Sequence, residues 1–518
     1  MSESLSRPRA VTGGAARVVD GQGESSSQAW LREVLDAGSF LPWRAPAKVL
    51  SCASDSPAYR QDRLAATQRA GVDESIVIGE GRVRGHRVAV VCSEFSFLAG
   101  SIGVDAAERV LAAFERATAE GLPVMAAPAS GGTRMQEGTP AFLRMVAISN
   151  AVTKHKAAGL PYLVHLRHPT TGGVLASWGS LGHLTFAEPG ALVGFLGPKV
   201  YRALTGTNFP RDVQSAENLR DHGVVDAVVT PGEFAETVGR VLSLLQPRSD
   251  RTRRVATCHS PAPRASQAWQ AVESTRLQQR PGVAALVRQQ ATDVVQLAGS
   301  GEGNCSGALL LCLARFGASA CLLVGQDRTA QADAPIDADG LRTARRGMRL
   351  AAELRLPLVT VIDTPGAALS PCAEEAGLAG QIARCIADLG TLPVPTLSVL
   401  LGQGCGGGAL ALLPADRVLA AQNAWLTPLP PEGASAIVHG TPEKAPELAD
   451  AQRIRSADLL RTGAIDRILE EQPDASHEPE AFLRRVARSI ETELSSMPPR
   501  ADSDWMDTRV SRWRSLGI

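Results

Sequence analysis

Short runs of aliphatic residues alternate along this chain with longer stretches whose apolar positions recur every three or four residues. The short runs fall at 88–91, 123–126 and 162–166, and again at 309–313, 321–324, 358–362 and 396–400. Each is bounded by Gly, Pro or polar residues, which predicts strands. The longer stretches, at 104–119, 141–158, 339–354 and 373–389, carry the helical period. Strands separated by helices imply βαβ units around covered sheets, an α/β architecture. Two segments lack any such pattern. Residues 1–26, rich in Ser, Gly and Arg, read as a disordered tail, and 246–266, rich in Arg and Pro, as a linker. They leave one block at 27–245 and another at 267–500, followed by a C-terminal tail at 501–518.

The two blocks follow one plan. In the first, Ser130-Gly131-Gly132 follows the strand at 123–126, and Thr171-Gly172-Gly173 follows the strand at 162–166. In the second, Asp363-Thr364-Pro365-Gly366-Ala367 follows the strand at 358–362, and Gly406-Gly407-Gly408-Ala409 follows the strand at 396–400. Gly131 and Gly172 stand 41 positions apart, as do Gly366 and Gly407. Two strand-to-glycine turns at the same spacing in both halves read as an internal duplication.

At 518 residues the chain has room for two or more domains of ~100–200 residues each. Lys+Arg and Asp+Glu are both 53, so the net charge is zero. Proteins that work on nucleic acid or anionic membranes usually carry a basic excess. The start has no basic segment followed by an apolar one, and no secretory leader is expected. The longest apolar run, 307–325, contains Arg315 and is too polar to span a bilayer. The nine cysteines include no C-x-x-C pair. That predicts reduced, mostly buried thiols in a cytoplasmic protein, with no zinc ribbon, no disulfide framework and no metal.

A glycine pair between a strand and a helix lets the backbone approach a ligand closely, with its N–H groups at the positive end of the helix dipole. Such a turn can hold a phosphate or an oxyanion, or can merely permit a tight helix–strand contact. The phosphate reading lacks its motifs, since neither G-x-x-x-x-G-K-[ST] nor a clean G-x-G-x-x-G opens a first unit. The oxyanion reading needs only two converging N–H groups. Ser130 is outside any G-x-S-x-G, and no H-E-x-x-H occurs. His165 and His168, near Gly172, could touch a ligand, although a lone loop histidine is more often solvated. Asp363, Glu374 and Glu375 read first as cap and dipole partners of helix starts. The sequence thus offers backbone stabilisation of negative charge without an evident side-chain base, which suits a reaction whose base comes from the substrate or a cofactor.

Longer motifs carry a resemblance. Gly79-Glu80-Gly81, the run from Glu94 to Gly103, Ser130-Gly131-Gly132-Thr133-Arg134-Met135-Gln136-Glu137-Gly138, Pro169-Thr170-Thr171-Gly172-Gly173-Val174 and Gly194-Phe195-Leu196-Gly197-Pro198 resemble the carboxyltransferase β subunit of bacterial acetyl-CoA carboxylase. Ile362-Asp363-Thr364-Pro365-Gly366-Ala367, Ala373-Glu374-Glu375, Gly406-Gly407-Gly408-Ala409-Leu410-Ala411, Pro431-Glu432-Gly433-Ala434-Ser435-Ala436-Ile437 and Lys444-Ala445-Pro446 resemble its α subunit. The resemblance covers about 30–245 and 275–470, in the β-then-α order that a fusion of the two would give.

The resemblance implies two crotonase-like ββα-superhelix domains in tandem. It implies a carboxyltransferase that moves the carboxyl group from carboxybiotin, held on a separate carrier protein, to the α-carbon of an acyl-CoA. The product would be malonyl-CoA or a homologue, as in fatty acid biosynthesis. The implied partners are acyl-CoA, a biotin carboxyl carrier protein and a biotin carboxylase, with no nucleic acid, no membrane and no metal. A homo-oligomer, dimer or hexamer, would place each site between a β-type and an α-type domain. By residue match, backbone N–H groups of Gly172 and Gly173, and of Gly408 and Ala409, would form two oxyanion holes. Ser130, Gly131, Gly132, Arg134, Gly366, Ala367 and Gly407 would line the CoA or biotin. Thr133 stands where the family usually has Ala, the run from Ala367 to Cys372 replaces A-Y-P-G-x-G, and Ala376 replaces an Arg, so the second-half pocket is altered. Two alternatives stay open, a malonyl-thioester decarboxylase and a non-catalytic carboxylase-associated paralogue.

Overall fold

The fold is taken from a computed structural model that describes residues 25–44, 56–210, 212–246, 267–498 and 503–513. In the first half a hairpin starts the sheet. Ile76–Val83 and His86–Ser93 pair antiparallel, with Val83 opposite His86 across Arg84 and Gly85. Both turn residues have positive φ, the geometry that matches the twist of a two-residue hairpin. Val124–Ala127, Tyr162–Leu166, Leu184–Ala187 and Ala227–Val228 then add in parallel on one side, and Leu41–Pro42 closes the other edge. The second half repeats this order. Leu309–Phe316 and Ser319–Gln326 form the hairpin, followed in parallel by Leu358–Thr364, Thr396–Cys405, Arg417–Ala421 and Arg467–Leu469, with Thr292–Leu297 antiparallel at the outer edge.

Parallel strands need crossover connections, and these are the helices Val104–Ala119, Gly138–Ala157, Ala338–Leu354 and Leu378–Gly390. They leave the central strands covered, so Val124–Ala127, Leu358–Thr364 and Thr396–Cys405 are buried along their whole length. That is why these strands read as unbroken apolar runs rather than alternating ones. One core cluster extends through both halves, from Trp30 and Phe234 to Leu313 and Phe482, and a second fills the other face of the first sheet around Val91, Phe114 and Val164. The halves are also joined by a buried ion pair, Arg346 to Asp226 at 2.8 and 2.9 Å, whose carboxylate further accepts the Thr185 and Ala298 N–H groups.

Two expectations change. The helix expected over 373–389 is broken into Pro371–Glu375 and Leu378–Gly390, because Gly377 between them adopts φ +76°. The segment at 501–518 carries a helix, Ser503–Arg512, whose Arg509 is buried. Arg509 forms two bonds to Asp416 and reaches the carbonyls of Leu389, Leu392 and Val394. Of the expected disordered tail at 1–26, Ser25 caps the helix Ser26–Val34 and the rest lies outside the described residues, as does the linker beyond Gln246.

Candidate active site

The strand Val124–Ala127 delivers the chain into the turn that holds Ser130, Gly131 and Gly132. Ser130 N–H donates to Pro169 O at 2.7 Å, Gly131 N–H to Ala99 O at 2.9 Å and Gly132 N–H to the Ser130 hydroxyl at 3.0 Å. Arg134 N–H donates to Ile102 O at 3.0 Å. Each of these donors is thereby occupied, while the Thr133 N–H has no acceptor among the described residues. Gly132 has φ +106°, and a Cβ there would come within 3.4 Å of the Gly172 α-carbon and 3.5 Å of the Gly173 nitrogen. The turn therefore lies directly against the start of the short helix Gly172–Leu175. At that helix start Thr171 N–H donates to Ser130 O and Gly172 N–H to Phe195 O, both at 2.9 Å. First-turn N–H groups have no intrahelical acceptor, so the partly exposed Gly173 supplies the open donor of the pair and Gly172 does not.

The second half builds the same arrangement. Gly366 N–H donates to the Thr364 hydroxyl at 3.1 Å, as Gly132 does to Ser130, and Ala368 N–H donates to Ile336 O at 2.8 Å. Ala367 then stands where Thr133 does, and its N–H likewise has no acceptor among the described residues. The helix Gly406–Leu410 begins with Gly406 at φ +63°, matching Gly172 at +65°. Gly406 and Gly407 are partly exposed, whereas Gly408 and Ala409 are buried. Ala409 is the fourth residue of this helix, the first whose N–H has an intrahelical acceptor in α geometry. The open donors thus fall one to two residues before the expected Gly408–Ala409 pair. Gly408 lies against the other loop, where a Cβ would come within 3.3 Å of the Ala367 nitrogen.

A buried polar group, not foreseen from sequence, ties this second pair together. Gln326, at the end of its strand and fully buried, donates to Gly408 O at 2.7 Å and accepts the Asp363 N–H at 3.1 Å. Gln331 donates to Asp363 O at 2.9 Å, and the Asp363 carboxylate accepts the Gln403 N–H at 3.0 Å. Burial raises the Asp363 pKa, opposed by Arg328 3.5 Å away. Asp363 is therefore a buried member of the scaffold behind the glycine turn. Glu374 and Glu375 lie in the exposed helix Pro371–Glu375.

The remaining expected residues divide. Gly131 is exposed at the turn, whereas Ser130 is buried and spent on turn geometry. Arg134 is fully buried, forms ion pairs with Glu74 and Glu137, and donates to Ser101 O at 2.7 Å. Burial pushes the Glu74 carboxyl up, but Arg134 pulls it down further, so it is lowered overall. All of Arg134's bonds are internal, which makes it a brace for the turn rather than a ligand contact. His165 is a buried strand residue, stacked on Phe234 at 4.6 Å and hydrogen-bonded to Trp30 and Val229. His168 accepts the Leu192 N–H at 3.1 Å.

Both donor pairs are rimmed by exposed apolar side chains. Met135 and Phe195 lie at the first, and Leu369 and Leu410 at the second. Among the described residues no group of three or more His, Cys, Asp or Glu side chains is placed to hold a metal ion. No helix there is long and apolar enough to cross a membrane.

Residues 33–507 match the carboxyl transferase domain family. The chain is 53% identical over 487 residues to the probable biotin-dependent acyl-coenzyme A carboxylase beta3 subunit of Mycobacterium tuberculosis (strain ATCC 25618 / H37Rv), covering 94% of this chain and 97% of that one. It is 36% identical over 514 residues to the acetyl-coenzyme A carboxylase carboxyl transferase subunits beta/alpha of Salinispora arenicola (strain CNS-205), covering 95% and 90%. Among solved structures, transcarboxylase 12S superimposes with a TM-score of 0.71 at 19% identity over 92% of this chain and 91% of that chain, a likeness of fold. The two halves are the crotonase-like ββα domains expected, and with a family match across nearly the whole chain and a relative at 53% identity, this chain belongs to the carboxyl transferase family of enzymes.

Proposed function

We propose that this chain is the carboxyltransferase of a biotin-dependent acyl-CoA carboxylase, and that its two open donor pairs are the two oxyanion holes. The observation that carries this reading is the repeated pair of free backbone N–H groups, Thr133 with Gly173 and Ala367 with Gly407 at the helix start. Fixed N–H dipoles aimed at a developing oxyanion need no reorganisation when charge appears. One pair would hold the oxygen of the thioester enolate, and the other the ureido oxygen of biotin presented by a separate carrier protein. Carboxybiotin, when bound, supplies CO2 and then the ureido nitrogen that takes the α-proton. The chain's own part is to hold both oxygens and exclude water, and neither task needs a titratable side chain. Names of the relatives support biotin dependence and an acyl-CoA substrate. A biotin carboxyl carrier protein and a biotin carboxylase would be the partners.

The exposed rims around both donor pairs support a homo-oligomer in which the first half of one copy covers the second half of another. Transcarboxylase 12S is described as a hexamer assembly with hydrolysed methylmalonyl-coenzyme A bound. A dimer or hexamer of this chain would close each site in that way. The stretch from Ala367 to Cys372, which departs from the family pattern, starts at the open Ala367 donor of the second pair, and this departure supports an acyl chain other than acetyl.

The test is carboxyl transfer from malonyl-CoA and methylmalonyl-CoA to biocytin. Gly173→Pro and Gly407→Pro each remove one first-turn N–H, and because the added Cβ would press on Thr133 Oγ1 at 2.9 Å and Ile382 Cδ1 at 2.7 Å, Gly173→Ala and Gly407→Ala, which keep the N–H, serve as controls. Each proline variant should lower turnover by ~10²–10³. Full activity in either proline variant would overturn the assignment. Decarboxylation that needs no biotin acceptor would identify the malonyl-thioester decarboxylase instead.

A further inference from the structure

We propose that the side-chain hydroxyl of Thr133 is a third hydrogen-bond donor of the first donor pair, given to the oxyanion together with the Thr133 and Gly173 N–H groups. This role rests on the proposed reading of that pair as an oxyanion hole, and it adds one side chain to a site otherwise built of backbone.

Ile102 sets the orientation of the residue. Its N–H donates to Gly132 O at 2.9 Å and its carbonyl accepts the Arg134 N–H at 3.0 Å, so Ile102 and Thr133 form a parallel bridge. In such a bridge the two neighbours make both bonds, and the N–H of the residue between them points away. Thr133 N–H therefore faces the open side of the turn. Gly132 and Arg134 are buried, whereas Thr133 between them is partly exposed. The other hydroxyls of these loops are spent on backbone. Ser130 accepts the Gly132 N–H, Thr170 donates to Pro128 O, Thr171 to Ser130 O and Ser177 to Gly173 O. The Thr133 hydroxyl differs, with no hydrogen-bond partner among the described residues.

That free hydroxyl is held against the second donor of the pair. A Cβ built on Gly173 would lie 2.9 Å from Thr133 Oγ1, so the oxygen rests on the open glycine itself. Branching at Cβ restricts χ1 and keeps the oxygen in place, while the O–H still turns to aim its hydrogen. The second half differs at the corresponding place. Ala367 has no hydroxyl, and the space beside Gly407 is taken by Ile382, whose Cδ1 would lie 2.7 Å from a Cβ there. One hole is thus polar with three donors, and the other has two donors beside a methyl group. A hydrogen bond to a charged oxygen is stronger than one to a neutral carbonyl, so the hydroxyl contributes most after charge develops and acts on kcat. Thr133 stands where the family usually has Ala, which makes this donor an addition to the backbone pair.

The experiment is steady-state carboxyl transfer from malonyl-CoA and methylmalonyl-CoA to biocytin by the full chain carrying Thr133→Val, Thr133→Ser or Thr133→Ala. Valine keeps the branched shape without the hydroxyl, and serine keeps the hydroxyl without the methyl. The Val and Ala variants should lower kcat about ten- to hundredfold, as expected for one hydrogen bond to a charged acceptor, with acyl-CoA KM little changed. The Ser variant should retain most of the wild-type kcat. Urea midpoints are measured alongside. They should not fall in Thr133→Val, because the hydroxyl has no internal partner to lose, and a lowered midpoint would assign it a structural bond and overturn the proposal. Wild-type kcat in Thr133→Val, or a Ser variant as slow as Val, would overturn it as well. Gly173→Pro separates the two readings. Loss of activity there with Thr133→Val unaffected removes only the role of the hydroxyl, whereas an active Gly173→Pro, or no transfer by the wild type, removes the oxyanion hole and the hydroxyl's role with it.

Discussion

The side-chain amide of Gln326 donates to the Gly408 carbonyl at 2.7 Å, and its own carbonyl accepts the Asp363 N–H at 3.1 Å. One fully buried side chain thus joins the strand that ends in one glycine turn to the helix that begins in the other. Gln326→Leu keeps the volume but strands a buried carbonyl and a buried N–H, each costing ~1–3 kcal/mol. We expect kcat to fall tenfold or more with little change in acyl-CoA KM. Steady-state kinetics with Gln326→Glu beside it checks the cause, because Glu can accept from Asp363 but, ionised, cannot donate to Gly408. Wild-type kcat in the Leu variant would dismiss the positioning role.

Gly132 and Gly131 are neighbours with opposite expectations. Alanine at 132 must adopt φ +106° and press on Gly172 and Gly173, whereas a Cβ at 131 would meet nothing closer than the Ala99 oxygen at 3.6 Å. Left-handed backbone costs an L-residue ~1–2 kcal/mol, and the parted loops would separate the Thr133 and Gly173 donors. Gly132→Ala should lose most activity, and Gly131→Ala should keep it. Equal activity in the two would contradict the loop contact.

Arg509 tests the C-terminal helix. It is buried with Asp416, which also receives the Thr396 N–H at 2.7 Å, so the pair anchors the start of the central strand Thr396–Cys405. Arg509→Ala leaves Asp416 short of its charge partner and should cost ~3–5 kcal/mol. Urea unfolding measures this directly, and an unmoved midpoint would show the helix to be dispensable.

The acid limb of stability should come from histidines. His155 and His165 are both pushed down to about 4, first by burial, and burial beside Lys156 puts His183 well below its ordinary value. The Nδ1 of His165 accepts from Trp30 and that of His183 from the Tyr162 N–H, so protonation breaks a bond in each. The unfolded chain takes up these protons first. Stability is therefore complete above about pH 6.5 and is lost as pH falls toward 4, up to ~3 kcal/mol for each of His155 and His165. Asp363 and Glu493, whose pKa values burial raises, work in the opposite sense. Urea midpoints at intervals between about pH 7 and pH 5 check the balance, and a flat profile would refute it.

The alternation of strands and helices and the paired glycine turns were legible because they rest on local period and on residues with few conformational options, whereas the hairpin that opens each sheet was not foreseen and the strand at 76–83 was missed. What could not be read depended on partners far along the chain. Gly172 looks like Gly173 until the Phe195 carbonyl claims its N–H. Arg134 sits in a glycine-rich motif and reads as a ligand contact, but its partner Glu74 lies 60 residues earlier. Gln326 looks like an ordinary polar strand end. The helix at 503–512 has a weak apolar face and is held by Arg509, which reaches backbone carbonyls more than 100 residues away, and by Arg512, which reaches Asp466 and the carbonyls of Gly463 and Ala464.

The junction between halves has a consequence for how the chain is made. Asp226 leaves the ribosome 120 residues ahead of Arg346. At ~5–20 residues per second that is a wait of roughly 6–24 s. During it the edge strand Ala227–Val228 carries beside it a carboxylate shaped for burial that has the Thr185 N–H but not yet its cation. The first half is thus synthesised with one docking point unfilled, and the arrival of the second half is the event that closes it.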